Sequence, residues 1–322
     1  MQKVSINDLQ EIAIGHAQNV DVATGCTVIV CPDGAVCGVD VRGGSPGTRD
    51  TDALNPINNR KTVHAVLLSG GSSFGLDAAG GVMEYLETHK IGRDVGVTVV
   101  PNVCAAILFD LKCGDYKIRP NAKMGYTACE NAFSNQPFAS GNFGAGTGAT
   151  IGKVRGDAYA MKGGVGSCAF RHGDLFVGAV MAVNCVGDIL DSKTGKIIAG
   201  ARADDGKTFI GSESVILDDY KCKTDFFSGN TIIGCVITNA KLDKAQATKL
   251  AALGQNGIAR AVRPAHSIYD GDTVFAMCTG EVSATLDAVG ILASLAVEEA
   301  IVNAVKSAVS LGGFAAFKDL CQ

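Results

Sequence analysis

The chain has 322 residues, 41 of them glycine, and its 28 Lys and Arg against 32 Asp and Glu give a formal net charge of −4. The lack of a basic stripe argues against a nucleic-acid partner, and no segment supplies the roughly 18 consecutive apolar residues that a membrane span requires. The glycines have no Gly-X-Y period and alternate with Val-, Ile-, Leu- and Ala-rich runs, which excludes a collagen-like chain and indicates a globular protein with a large core.

The first half of the chain predicts mainly strands. Residues 26–31 and 35–41 are apolar and flank Pro32-Asp33-Gly34, a sequence typical of a tight turn, so they predict a β-hairpin. Three later segments predict a buried strand, a helix with apolar residues on one side, and another strand: 62–70, 72–89 and 95–101.

The second half repeats this alternation. Its predicted strands are 174–190, 193–200, 231–240 and 272–280. Residues 201–229 predict an exposed polar linker, and Asp243 caps a predicted helix at 244–262. Residues 286–310 predict a helix that is apolar nearly all round, which indicates a buried position between layers. The interleaved strands and helices indicate one layered α/β domain over residues 1–322.

The cysteines and histidines limit the kinds of metal site and catalytic site that the chain can form. No C-x-x-C pair occurs among the 12 cysteines, so we expect reduced thiols that fill the core. Cys26, Cys31 and Cys37 are the closest approach to a metal cluster, but they lie in strand and turn sequence, and we expect neither a metal nor a cofactor. A serine-triad hydrolase is disfavoured because it needs a positioned histidine, and the sequence places none of the five histidines as a catalyst. His64 is expected in the core, and His266 is retained only as a supporting residue near the site.

The segment Gly70-Gly71-Ser72-Ser73 follows a predicted strand and opens a predicted helix. Backbone amides in such a position can cradle an anion or face a substrate. The segment matches neither a dinucleotide-binding nor a P-loop motif, so close packing of strand and helix is the simpler interpretation.

Thr231 starts a predicted buried strand directly after the polar linker that ends in Asn230. If the preceding peptide bond were cut, its hydroxyl would be a nucleophile and its free α-amine a base. This chemistry requires no histidine. An ordinary turn before a strand is the alternative interpretation of the same residues.

Asp270 and Asp272 bracket Gly271 just before another predicted strand. In an extended segment both carboxylates would lie on the same side, where they can hold an ammonium or hydroxyl group or share a proton. A turn with an Asp cap is the alternative.

Together these residues identify a resemblance over nearly the whole chain to the DmpA-type self-processing aminopeptidases, which include β-peptidyl aminopeptidases and nylon-oligomer hydrolases. The motifs that carry it are VDVRGG (39–44), LSGGSSFGLDA (68–78), LFDL (108–111), GAGTGA (144–149) and DGDT (270–273). The resemblance implies an αββα fold with two sheets between helix layers. It also implies self-cleavage between Asn230 and Thr231, giving fragments 1–230 and 231–322.

The resemblance also implies roles for individual residues. Thr231 matches the nucleophile, and Asp270 and Asp272 match its polar partners. Lys153 matches a catalytic lysine, Asn184 an asparagine that stabilises the oxyanion, and, more loosely, Tyr126 a tyrosine near the nucleophile. Cys168, near a glycine-rich segment of the family, is expected to be structural. Gly70, Gly71, Ser72 and Ser73 are candidates for a substrate loop.

The expected activity is therefore hydrolysis of small peptides or related amides by a cytoplasmic homo-oligomer, a tetramer by resemblance. The aminopeptidases of this family use serine as the nucleophile, whereas this chain has threonine. Its threonine, aspartate pair and upstream lysine are more similar to the nylon-oligomer hydrolase branch, so the substrate stays open. Two alternatives remain: an acyltransferase similar to ornithine acetyltransferase, and a non-catalytic binding protein that retains the fold.

Overall fold

Residues 1–134, 136–221 and 229–320 are described by a computed structural model in which strands and helices alternate. The strands are β1 Gln2–Val4, β2 Ala13–Asn19, β3 Thr24–Val41, β4 Thr48–Arg49, β5 Val63–Ser69, β6 Arg93–Asp94, β7 Val99–Val100, β8 Val103–Ile107, β9 Thr150–Ile151, β10 Met161–Lys162, β11 Gly164–His172, β12 Leu175–Asn184, β13 Asp188–Leu190, β14 Ile197–Ala199, β15 Thr231–Ala240, β16 Val262–Arg263 and β17 Thr273–Val282. The helices are α1 Ala78–Thr88, α2 Ala122–Ala132, α3 Ser212–Asp218, α4 Lys244–Ala261, α5 Leu286–Ser307 and α6 Phe317–Leu320.

Strand β3 links the two main sheets. Its second half pairs with β17 in a sheet of order β1-β11-β12-β15-β17-β3. Its first half pairs with β2 and β5 in a second sheet, which continues through β8 to β4. The predicted hairpin is therefore wrong. Gly34 adopts a positive φ of 78° and the register against β5 shifts between Val30 and Ala35, so the turn sequence forms a bulge that bends one strand from sheet to sheet.

Three apolar layers hold the sheets and helices together. Side chains such as Ile29, Phe176 and Phe275 fill the space between the two sheets. Helices α4 and α5 cover the outer face of the first sheet, and α1 and α2 cover the outer face of the second. The predicted αββα arrangement is confirmed.

Helix α5 lies in an outer layer, packed against α4, β11 and β12, and not between layers as predicted. Its outward side includes Ile291, which is 64% exposed. Among the described residues, α5 alone is long and apolar enough to cross a membrane, but 67% of its most apolar window is buried inside the protein. Core helices of this kind commonly pass the same test.

Other predictions were confirmed in part. Strand β15 has the predicted bounds, and Asp243 caps α4 through a reciprocal bond with Gln246. Residues 95–101 contain only the two-residue β7, whereas the buried strand is β8. The predicted exposed linker contains helix α3, and its residues 222–228 lie outside the described residues. Ten described cysteines are free and buried, Cys168 among them, as expected of core thiols; Cys222 and Cys321 lie outside the described residues.

Candidate active site

Thr231 is the first residue of β15 and lies near the middle of the first sheet. It pairs directly with Asn184, the last residue of β12, while β17 runs parallel to β15 on the other side. Thr231 is only 4% exposed. The sheet therefore holds the Thr231 hydroxyl in a buried position between β12 and β17.

The peptide bond before Thr231 is held by two donors. The Thr231 hydroxyl donates a hydrogen bond to the carbonyl oxygen of Asn230. The same oxygen accepts the N–H of Gly271 at 2.8 Å, because residues 230 and 270 form a parallel bridge. A carbonyl bound by a fixed N–H is polarised toward attack, which is how oxyanion donors act.

Asn184 and Lys153 meet at the preceding carbonyl. The Asn184 Nδ2 atom donates to the carbonyls of Phe109 and Gly229, each at 3.0 Å. The Lys153 Nζ atom donates to the carbonyls of Asn184 at 2.9 Å and Gly229 at 3.3 Å. Burial lowers the pKa of Lys153 to about 8. These residues bind the Gly229 carbonyl in the continuous chain, and the oxyanion role of Asn184 stays a prediction.

The two carboxylates differ in their hydrogen bonds. Asp272 uses both oxygens: Oδ1 accepts the N–H of Ile232 at 2.7 Å, and Oδ2 accepts the N–H of His266 at 3.1 Å and lies 2.9 Å from its Nδ1. Asp270 Oδ2 accepts the N–H and hydroxyl of Ser267, whereas its Oδ1 is buried without a hydrogen-bond partner among the described residues. Burial, and then the charge of Asp272, raises the pKa of Asp270 to about 6. Asp270 thus has the free carboxylate oxygen of the pair.

The glycines of the motif at residues 39–44 pack against this carboxylate segment. The N–H of Ser45 donates to the carbonyl of Asp270 at 2.8 Å, and that of Arg42 donates to the carbonyl of Asp272 at 2.9 Å. A Cβ atom on Gly43 would lie 2.1 Å from the Asp270 carbonyl oxygen. Only glycine permits so close an approach.

The loop of Gly70 to Ser73 binds an internal anion. Asp110 Oδ1 accepts the N–H of Gly71 at 2.7 Å, and its Oδ2 accepts the hydroxyl of Thr24 at 2.7 Å. The N–H of Ser72 donates to the carbonyl of Leu108 at 2.9 Å. These amides are therefore already occupied by the chain itself, and a substrate role for Gly70, Gly71, Ser72 and Ser73 stays a prediction.

The other predicted residues lie as follows. Tyr126 is in α2, where its ring meets that of Tyr85 edge-on at 5.2 Å; within the described part of the chain, no contact joins it to Thr231. His64 is buried and accepts the N–H of Asn102 at 3.1 Å, as expected of a core residue. Among the described residues, no group of three His, Cys, Asp or Glu side chains is placed to hold a metal ion.

A family model described as peptidase family S58 matches residues 4–318, nearly the whole chain. The chain belongs to peptidase family S58. The resemblance identified from its motifs is confirmed.

Relatives with similar sequences carry two kinds of name. An uncharacterised aminopeptidase of Mycobacterium leprae is 42% identical over 299 residues, which cover 88% of this chain and 81% of the relative. A 6-aminohexanoate-oligomer endohydrolase of Kocuria sp. (strain KY2) is 30% identical over 321 residues, which cover 93% of this chain and 85% of the relative.

Two solved structures share the S58 fold. A β-aminopeptidase of Burkholderia sp. matches 96% of this chain and 88% of its own with a TM-score of 0.66 and 21% identity. The L-aminopeptidase D-Ala-esterase/amidase of Ochrobactrum anthropi, described as a variant of the Ntn-hydrolase fold, matches 94% of this chain and 86% of its own with a TM-score of 0.67 and 19% identity. At these identities the two structures show a shared fold.

Sequence reasoning missed three groups at this S58 site. The N–H of Gly271 holds the Asn230 carbonyl, Phe109 accepts from Asn184 through its carbonyl, and the N–H of Thr150 donates to Asn184 Oδ1 at 2.9 Å. All three act mainly through the backbone, which residue type does not reveal. Their only sequence signal was position, since each lies in or next to a motif that carried the family resemblance.

Proposed function

We propose that this protein is a self-processing hydrolase of peptide or related amide bonds, with Thr231 as its nucleophile. Membership of family S58 supports hydrolysis of peptide or amide bonds. The observation that carries the finer proposal is the Thr231 hydroxyl in contact with the carbonyl of Asn230, a carbonyl that Gly271 also holds.

Self-processing begins with attack of Thr231 Oγ1 on the Asn230 carbonyl carbon. The bond from that carbon to the Thr231 nitrogen breaks, and the hydroxyl proton passes to the nitrogen, which becomes a free α-amine. The product is an ester between Asn230 and the Thr231 side chain. Water hydrolyses this ester to the Asn230 carboxylate and the Thr231 hydroxyl, giving fragments 1–230 and 231–322. In turnover, the same hydroxyl attacks a substrate amide and the α-amine serves as base.

The surrounding residues have distinct roles in this proposal. The N–H of Gly271 stabilises the oxyanion during self-cleavage, a role worth about 10²–10³ in rate where one such donor has been removed. Asp270, through its free oxygen, accepts a hydrogen bond from the Thr231 amine or hydroxyl. Asp272 positions β15 through the N–H of Ile232. Lys153 is a buried cation, and it stabilises negative charge that develops beside it.

Hydrolysis is favoured over transfer of the acyl group to an amine acceptor. The relatives named above are an aminopeptidase and an endohydrolase, and both names describe transfer to water. The cytoplasmic location and the tetrameric state of the protein remain predictions within this proposal.

The test compares Thr231→Val with Thr231→Ser. Valine retains the shape of threonine without its hydroxyl, whereas serine retains a hydroxyl nucleophile. Denaturing mass spectrometry of the purified proteins should give an intact Thr231→Val chain, and a cut Thr231→Ser chain with a fragment that begins at residue 231. Release of p-nitroaniline from acyl anilides should be absent only in the valine variant. An active Thr231→Val protein, or a wild-type chain that is never cut, would overturn the proposal.

A further inference from the structure

The carbonyl of Gly229 is bound by two side-chain donors. It accepts a hydrogen bond from Asn184 Nδ2 at 3.0 Å and one from Lys153 Nζ at 3.3 Å. Both side chains are buried, Asn184 completely and Lys153 with 5% exposure. The remaining N–H of the Asn184 amide is used by the Phe109 carbonyl, so its orientation is fixed. These two donors suit an oxygen acceptor, and the nearby Lys153 cation repels a positive charge.

Residues 229 and 230 occupy the position of a substrate acyl group. This step rests on the proposed function, because the ester formed in self-cleavage is the same species as an acyl-enzyme on Thr231. Asn230 then corresponds to the acyl residue of a substrate. The Gly229 carbonyl corresponds to a carbonyl attached to the nitrogen of that residue.

We infer that the enzyme acts on acyl groups whose α-nitrogen is itself acylated, that is, on internal amide bonds or N-blocked peptides, in preference to substrates with a free α-amine. In an N-acylated substrate, the extra carbonyl replaces that of Gly229 and satisfies Asn184 and Lys153. In a free-amine substrate, that carbonyl is missing and the nitrogen is an ammonium group. Bond lengths place this nitrogen within roughly 6 Å of the Lys153 cation, in a buried site where like charges repel strongly.

The carboxylates nearby offer little compensation for an ammonium group. Both oxygens of Asp110 are bound, by Gly71 and Thr24. Both oxygens of Asp272 are bound as well, by Ile232 and His266. Asp270 alone among these three has a free oxygen. In the proposed function that oxygen already accepts a hydrogen bond from the Thr231 amine or hydroxyl.

Within the described part of the chain, the side chain of the acyl residue is enclosed and lacks hydrogen-bond partners. Asn230 is 1% exposed, and neither its Oδ1 nor its Nδ2 has a hydrogen-bond partner. An apolar side chain of similar size avoids the cost of burying an unpaired amide. Leucine is therefore a suitable acyl residue for a probe, besides asparagine.

The experiment measures the wild-type enzyme with two matched pairs of p-nitroanilides at neutral pH. The first pair is N-acetyl-asparagine and asparagine p-nitroanilide, which differ by one acetyl group. The second pair has leucine in place of asparagine. Thr231→Val protein in parallel gives the uncatalysed background, and mass spectrometry records whether each sample is cut.

We expect kcat/KM to be at least about tenfold higher for the acetylated member of each pair, because a site that binds an acceptor rejects an analogue that lacks it. A smaller ratio, or faster hydrolysis of a free-amine member, would overturn the inference while leaving the nucleophile intact. A cut enzyme that hydrolyses none of the four probes also overturns it. An uncut chain without activity overturns the proposed function itself.

Discussion

The N–H of Gly271 lies 2.8 Å from the carbonyl oxygen of Asn230, the residue that precedes Thr231. The same glycine separates the two carboxylates of Asp270 and Asp272. One short segment therefore supplies both a donor for the reacting carbonyl and the acidic groups beside the nucleophile. Gly271 has no side chain, which leaves room for the Thr231 hydroxyl beside it.

Gly271→Ala should stop self-cleavage and hydrolysis. The added Cβ would lie 2.8 Å from Thr231 Oγ1 and 2.8 Å from the carbonyl oxygen of Ser45, so the segment or the nucleophile must move. Loss of an aligned oxyanion donor costs about 10²–10³ in rate. Mass spectrometry and anilide hydrolysis measure both effects.

Gly80→Ala is the matched control. Gly80 lies inside α1, and a Cβ there meets no atom within 4 Å. This change should leave cleavage and activity unaltered and should stabilise the helix by about 1 kcal/mol. Normal processing of Gly271→Ala would exclude the proposed role of that N–H.

The acid side of the pH profile should report Asp270. Its pKa is raised to about 6 by burial and by the charge of Asp272, so the carboxylate form dominates only above that pH. Because the carboxylate accepts a hydrogen bond from the Thr231 amine or hydroxyl more strongly than the neutral acid does, kcat/KM should fall as the pH drops through about 6. A second loss is expected near roughly pH 7.7–8.0, where the α-amine of Thr231 becomes protonated.

Asp270→Asn should lower kcat/KM by about 10²–10⁴ and abolish the lower inflection of the profile. Asp115→Asn serves as the control, because Asp115 is exposed and only accepts the N–H of Lys117. A profile of Asp270→Asn that retains the inflection near pH 6 would assign it to another group.

The fold should lose stability above about pH 8.5. Burial raises the pKa of every one of the ten described cysteines, to about 12 in the case of Cys278. Folded thiols then stay protonated while unfolded thiols ionise from about pH 8.5, so the unfolded state binds fewer protons and stability falls as pH rises. Lys153, Lys162 and Lys244, whose pKa values burial lowers, act in the opposite direction, but they are three groups against ten.

Urea unfolding of the Thr231→Val protein at a series of pH values, under reducing conditions, measures how the free energy of unfolding changes with pH. Each thiol contributes about 1.4 kcal/mol per pH unit between its unfolded and folded pKa. Cys278→Val, which retains an apolar side chain in the core, should flatten the slope by that amount. A free energy of unfolding that rises between about pH 8.5 and pH 10 would contradict the assignment of the thiols.

Sequence patterns predicted some elements well because local composition determined them. Residues 231–240 are mostly apolar, and the whole strand is buried. The hairpin predicted from the turn sequence at 32–34 was wrong. The two flanking segments pair with strands of different sheets, so the chain keeps its direction instead of reversing. Strand β8 was missed because its small apolar residues have no alternation and its pairing with β5 is long-range.

The candidate site also has some features that the sequence predicted and others that it could not predict. Thr231, Asn184 and Lys153 were predicted from side-chain chemistry and resemblance, and the fold brings them together around two consecutive carbonyls. The unequal bonding of Asp270 and Asp272 could not be predicted. It depends on Ser267 and His266, which the chain brings back onto the carboxylates through a loop.

The position of β15 between β12 and β17 has a consequence for a molecule cut before Thr231. Its strand remains hydrogen-bonded on both sides, to the long fragment through β12 and to the short one through β17, while β3 of the long fragment also pairs with β17. The two fragments would then remain associated as an intertwined heterodimer. Refolding of such a molecule is a second-order encounter between two chains, so dilution after unfolding makes the unfolding irreversible in practice.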